Sequence, residues 1–245
     1  MTAALITREI TMRFGGHTAL DAVSLSAERG QVTGLIGPNG AGKTTLFNVI
    51  CGLLRANAGS IHINNTDVSS KKPYQRARLG LARTFQRLEL WSLLTVQENV
   101  AVAAQLRHQY GNDGIDPRKE IDAIIGRVGL TAQRDFRVDE LPTGQARLVE
   151  IARAMATKPQ VLLLDEPASG LDDQETDQLA TLLAGLAHEG LAVLIVEHDV
   201  QLVMEVCDYI HVLDFGRIIA TGTADEIRTN DAVLTAYLGS SMDTP

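Results

Sequence analysis

Residues 5–12 alternate loosely between apolar and polar, and residues 22–27 (Ala-Val-Ser-Leu-Ser-Ala) alternate more cleanly. A period of two sends successive side chains to opposite faces, so both stretches are predicted to be strands. Residues 31–36 read the same way, with turns near Gly15-Gly16 and Arg29-Gly30. Over 43–54 the period lengthens to that of a helix opening from a glycine-rich loop, and 60–64 returns to a short strand ended by Asn64-Asn65. From about 96 to 157 the pattern is mostly helical, clearest over 121–128 and 144–157, with a polar break at 111–117. Strand and helix then alternate: strand 161–164, helix 173–189, strand 191–196 and helix 200–206. A hairpin over 209–213 and 217–220 turns at 214–216, short helices cover 223–228 and 231–238, and 240–245 reads as a loose tail. Apolar strands flanked by helices require a parallel sheet covered on both faces, so the class is α/β with a helical insertion.

Composition narrows this picture. With 245 residues and 45% apolar content the chain can bury a full core as one domain. Thirty acidic residues against 22 basic ones give a formal charge of −8, which excludes a sequence-independent grip on nucleic acid phosphates. Cys51 and Cys207 lie far apart in apolar settings and read as reduced core thiols of a cytosolic protein, with a structural disulfide as the alternative. Thr7-Arg8-Glu9 interrupts any leader-like apolar run, and the apolar stretch 191–196 is far too short to cross a bilayer. A soluble chain is expected, with any membrane role borrowed from a partner.

The strongest chemical signal is Gly37-Pro38-Asn39-Gly40-Ala41-Gly42-Lys43-Thr44-Thr45, which fits G-x-x-x-x-G-K-[ST] between a predicted strand and a predicted helix. Its glycines let successive backbone N–H groups turn inward on phosphates, and the following helix adds its positive dipole end. Lys43 is expected at the β/γ-phosphates of the nucleotide and Thr44 on Mg²⁺. The apolar run 161–164 ends in Asp165-Glu166, candidates for holding Mg²⁺ and polarising the attacking water. His198 follows the next buried strand, at the strand end where α/β proteins bind ligands. Leu141-Pro142-Thr143-Gly144-Gln145 precedes a helix and offers a second anion-binding helix start. Taken singly, the carboxylate pair, the histidine and the Pro/Gly helix start each have bland readings as solvated or structural groups.

In order along the chain these residues resemble the ATP-binding cassette family. The likeness rests on the phosphate loop, Gln86, residues 141–145, Asp165-Glu166, Ser169-Gly170-Leu171-Asp172 and His198. It implies a P-loop NTPase (RecA-like) core with an N-terminal antiparallel β subdomain and an inserted α-helical subdomain. The core would span about 1–86 and 159–239, and the helical part about 87–158. The resemblance also implies that Phe14 stacks on adenine and that Gln86 is a metal ligand sensing a membrane partner. By the same token Thr143, Gly144 and Gln145 grip the nucleotide of an opposite subunit, Asp172 belongs to the D-loop, and His198 contacts the γ-phosphate. The family usually has Leu-Ser-Gly-Gly-Gln, so Pro142 and Thr143 are departures, and Pro142 brings neither hydroxyl nor N–H.

Closer still, the chain is similar to the ATPases of branched-chain amino acid importers. Residues 13–16 and 82–86, Glu150-Ile151-Ala152-Arg153, Glu197-His198-Asp199 and Ala236-Tyr237-Leu238-Gly239 carry that likeness. It implies integral-membrane permease subunits, a second ATPase subunit in a homo- or heterodimer, an extracytoplasmic binding protein, and a peripheral place on the cytoplasmic face of the membrane. Leu90-Trp91-Ser92-Leu93 is read as a permease-docking surface, or else as packing within the helical insertion. Urea and lipopolysaccharide transport ATPases and a soluble iron–sulfur assembly scaffold share the resemblance. A small-molecule P-loop kinase would leave residues 141–145 and His198 unexplained.

Overall fold

The computed structural model describes residues 3–110 and 116–239. The polar break expected at 111–117 lies mostly, and the tail expected at 240–245 wholly, outside the described residues. The chain opens with β1 (Ala3–Phe14), β2 (His17–Glu28), β3 (Val32–Ile36), α1 (Lys43–Cys51), β4 (Ala58–Ile63) and β5 (Thr66–Asp67). It continues through α2 (Pro73–Arg78) and β6 (Leu81–Arg83) into α3 (Val96–Tyr110), α4 (Pro117–Arg127) and α5 (Thr143–Met155). The second half is β7 (Val161–Asp165), α6 (Asp173–His188), β8 (Ala192–Val196), α7 (Val200–Val206), β9 (Tyr209–Asp214), β10 (Arg217–Gly222), α8 (Ala224–Arg228) and α9 (Asp231–Gly239).

Two sheets organise these elements. An antiparallel sheet runs β2-β1-β4-β5, and a six-stranded sheet runs β10-β9-β3-β8-β7-β6, parallel except at β9–β10. Every residue of β3, β7 and β8 is buried, which is why these strands read as unbroken apolar runs. Alternate residues serve opposite faces. Leu162, Leu164, Val193 and Ile195 join a core with α3, α5 and α6, whereas Val161, Leu163, Leu194 and Val196 pack with α1 and the antiparallel sheet.

Where the observed elements differ from expectation, local chemistry accounts for it. β1 and β2 extend well past the alternating stretches because bulges between Thr7 and Ile10, and between Ile10 and Met12, shift the period. α1 stops at Cys51 because Gly52 turns left-handed (φ 77), and α4 starts early because the Asp116 side chain accepts the Arg118 N–H at 3.0 Å. β5, α2 and β6 were not expected, being too short to show a period. α2 nevertheless carries a structural arginine. Arg76 is 2% exposed and donates to the carbonyls of Val49 and Ile50 (2.7 Å each), Lys71 (3.0 Å) and Ser69 (3.1 Å), capping the end of α1. Cys51 and Cys207 are free and buried, which sets the disulfide alternative aside, and burial raises both thiol pKa values.

His211 on β9 yields a pH prediction. Its Nε2 lies 3.2 Å from the Ser26 carbonyl and its buried Nδ1 has no partner among the described residues, so the ring sits neutral with the proton assigned to Nε2. Burial lowers its pKa below 6.5, partly offset by the Ser26 carbonyl. The unfolded chain therefore takes up the proton first as pH falls, so the stability linked to this group is complete above 6.5 and is lost below it. Melting curves between about pH 7.5 and about pH 5 should show less acid loss for His211→Gln than for the parent chain; parallel curves would refute this.

Candidate functional site at the strand ends

From the end of β3 the chain turns through residues 37–42 into α1. Gly37 (φ 155) allows a close approach to β9, since a Cβ there would sit 1.9 Å from the Leu213 carbonyl oxygen. Gly42 (φ 111) is the N-cap of α1 and passes over β2, where a Cβ would lie 2.7 Å from the Ala19 carbonyl oxygen. Beneath the loop, Gly216 in the β9–β10 turn donates to Ala41 at 2.9 Å and accepts the Asp21 N–H at 2.8 Å. The loop is thus held from below while Asn39, Gly40 and Thr44 face solvent and Thr45 is half-buried. No side chain caps α1, so its first-turn N–H groups and dipole remain available to an anion. Lys43 is buried, donating to the carbonyls of Gly37 (2.5 Å) and Pro38 (2.9 Å). Burial lowers its pKa, against the opposing pull of Glu166 and Asp165.

β7 and β8 deliver the acidic side. Asp165 is 2% exposed, and the next residue, Glu166, adopts a left-handed backbone (φ 51). His198 Nε2 stands 2.7 Å from Glu166 Oε1, and the Gln86 amide donates to both Glu166 oxygens at 3.1 and 3.2 Å. Below them Glu197 is buried and accepts the N–H groups of Ala168 (2.7 Å) and His198 (3.1 Å), fixing the loops that carry Glu166 and His198. Burial raises the Glu197 pKa, opposed by those amide hydrogen bonds. Because β3, β8 and β7 are neighbours, Lys43, Asp165, Glu166, Gln86 and His198 converge at their carboxyl ends.

Other expected site residues stand elsewhere. Among the described residues, no hydrogen bond or ion pair links 143–145 to the glycine loop. Pro142 occupies the N-cap position of α5 without a side-chain cap and is exposed with Thr143, whereas Gly144 is buried against the loop before α6. A Cβ on Gly144 would meet Glu175 Oε2 at 2.5 Å, Leu171 Cδ2 at 2.9 Å and the Gly170 carbonyl at 3.0 Å, so this glycine answers to packing within its own chain. Asp172 also serves the fold. Its carboxylate accepts the Glu175 N–H at 2.8 Å while Glu175 accepts the Asp172 N–H at 3.1 Å, a reciprocal cap on α6. Phe14 sits half-exposed at the β1–β2 turn. Trp91 is 46% exposed and lies under the Arg153 guanidinium at 5.2 Å, so it packs on α5 while keeping an open face.

Sequence reasoning missed the clamp on the loop that bears Gln86. From α5, Arg147 donates to the carbonyls of Phe85 (2.7 Å) and Gln86, and Glu150 accepts the Phe85 N–H at 3.2 Å. Arg147 and Glu150 pair at 3.4 Å with side chains only 8% and 1% exposed, and burial raises the Glu150 pKa against the lowering pull of Phe85 and Arg147. The available signal was an i,i+3 charged pair within a helix whose neighbouring positions Ala146, Leu148, Val149 and Ile151 are apolar.

This geometry can be set beside known proteins. Residues 20–169 match the ABC transporter family, and residues 217–243 match the branched-chain amino acid ATP-binding cassette transporter family. The high-affinity branched-chain amino acid transport ATP-binding protein BraF of Pseudomonas aeruginosa is 41% identical over 95% of this chain and 96% of its own length. Among solved structures, the ADP conformation of the ATP-binding cassette MJ1267 superposes with a TM-score of 0.86 at 32% identity, covering 98% of this chain and 100% of that one. The dimeric post-hydrolysis form of the cassette MJ0796, bound to ADP and Pi, gives 0.80 at 26% identity over 90% of this chain and 98% of that one. A glycine loop gripping a helix start, opposed by a carboxylate–histidine pair and matched across the chain by such relatives, makes this protein an ATPase of the ABC transporter family.

Proposed function

We propose that this chain powers an importer of branched-chain amino acids, seated on the cytoplasmic face of the membrane by integral permease subunits. The observation that carries the reading is the convergence of Lys43, Glu166, Gln86 and His198 beside an uncapped helix start, in a chain similar to proteins named for branched-chain amino acid transport. In this reading the backbone of 37–45 and Lys43 hold the ATP phosphates, and Phe14 packs on the base. Glu166 orients and deprotonates the attacking water, while His198, already 2.7 Å from Glu166, donates toward the terminal phosphate.

Mg²⁺ fits the donor set. The Thr44 hydroxyl, the Asp165 carboxylate and the Gln86 amide oxygen are hard oxygen ligands, and the last is left unused when the Gln86 amide nitrogen donates to Glu166. When bound, the ion neutralises charge developing on the phosphates. A second ATPase subunit, identical or different, closes head to tail so that Thr143, Gly144, Gln145 and the start of α5 meet the partner's nucleotide, with Asp172 beside the junction. The exposed positions of Pro142 and Thr143 suit that role.

No helix among the described residues is long and apolar enough to cross a membrane. A groove of about 1060 Å³ between α2, β6, α3 and α5, lined in part by Tyr74, Trp91 and Leu106, is the surface we assign to the permease. An extracytoplasmic binding protein would deliver the substrate. The test is purification of the tagged chain from native membranes, with leucine uptake measured in cells carrying Lys43→Ala. Permease subunits should co-purify and uptake should fall to background. Recovery with soluble partners alone, or unaltered uptake, would overturn the proposal.

A further inference from the structure

Arg83 closes β6 at the edge of the parallel sheet, and its side chain is 6% exposed. It joins three separate parts of the site. Nη2 donates to Asp165 Oδ2 at 2.8 Å, Nη1 donates to Asn48 Oδ1 at 2.7 Å, and Nε donates to the Thr84 carbonyl at 3.2 Å. Asn48 lies on α1, the helix that begins with Lys43, and Thr84 lies two residues before Gln86. The guanidinium also faces the rings of Phe85 at 4.8 Å and Phe47 at 5.5 Å, which hold its plane. Beside it the Thr84 hydroxyl accepts the Asp165 N–H at 3.3 Å. One oxygen of Asp165 is therefore occupied, and among the described residues no hydrogen bond reaches Oδ1, the oxygen left for another ligand.

We propose that Arg83 is a positioning residue for the magnesium site: it locks Asp165 to the phosphate-loop helix so that the free carboxylate oxygen is presented to the metal of the bound nucleotide. This rests on the assignment of Asp165 as a magnesium-holding residue. The bridge needs a planar group with divergent donors. A lysine ammonium in its place retains the charge but cannot reach Asp165 and Asn48 in the same fixed geometry.

The test uses the full chain and a fluorescent ATP analogue, with binding titrated against MgCl₂ and repeated in EDTA. Arg83→Lys and Arg83→Met should each raise the half-saturating Mg²⁺ at least about tenfold, while metal-free binding stays within about twofold of the parent. General loss of structure would weaken both kinds of binding together, so the selective loss is diagnostic. Arg83→Lys decides the matter should the methionine variant fail to fold. Asp165→Asn separates the two readings. If Asp165→Asn leaves the Mg²⁺ dependence intact, the magnesium assignment itself fails. If Asp165→Asn abolishes that dependence while both Arg83 variants keep the parental midpoint, the Arg83 proposal alone is overturned.

Discussion

Replacing Glu166 with glutamine should lower ATP turnover by roughly 10²–10⁴-fold while leaving nucleotide binding intact. Glutamine keeps the shape of the side chain and can still accept from His198 Nε2, which now stands 2.7 Å from Glu166 Oε1. It can also occupy the left-handed backbone at this position (φ 51) at no greater cost than glutamate. What it loses is the ability to take a proton from water. With binding preserved and turnover blocked, the closed pair of subunits should persist, so gel filtration in ATP should show a species of twice the monomer mass. A variant that hydrolyses ATP at the parental rate would remove Glu166 from the mechanism.

Arg147→Met should carry the largest stability cost. Arg147 and Glu150 are almost fully buried, and removing the cation leaves an unpaired carboxylate together with the unsatisfied carbonyls of Phe85 and Gln86. Breaking such a pair costs about 3–5 kcal/mol, a large share of the roughly 5–15 kcal/mol that stabilises a domain. The melting temperature should fall by roughly 10 °C. The double variant Arg147→Met/Glu150→Gln should recover much of this loss, because the amide can still accept the Phe85 N–H without a buried charge. If the single variant melts like the parent, the pair does not hold the Gln86 loop.

Much of this architecture was legible because its signals are local. The apolar runs that became β3, β7 and β8 are buried on both faces, and the glycine loop needs conformations that only its own residues supply. The sequence put Glu166 and His198 at strand ends, but their meeting at 2.7 Å appears only in the fold, where those strands are neighbours. The missed features depend on distant partners. Arg76, Arg83, Arg147 and Glu150 look from sequence like solvated charges, and only the fold shows the carbonyls and carboxylates they meet. Bulges in β1 blurred its alternation, and β6 has three residues, fewer than any periodicity can reveal. A glycine at 144, beside the departures at Pro142 and Thr143, became intelligible only through Glu175, Leu171 and the Gly170 carbonyl packed against it.

The placement of β3 bears on how the protein comes off the ribosome. Its partners are β8 (Val32 opposite Val193) and β9 (Thr33 opposite Tyr209), and the loop that follows is braced by Gly216. A nascent chain that has already translated the glycine loop still lacks both neighbours of its central strand. It is expected to acquire nucleotide affinity only near the end of synthesis, and until then β3 has two bare edges that invite association with other unfinished chains.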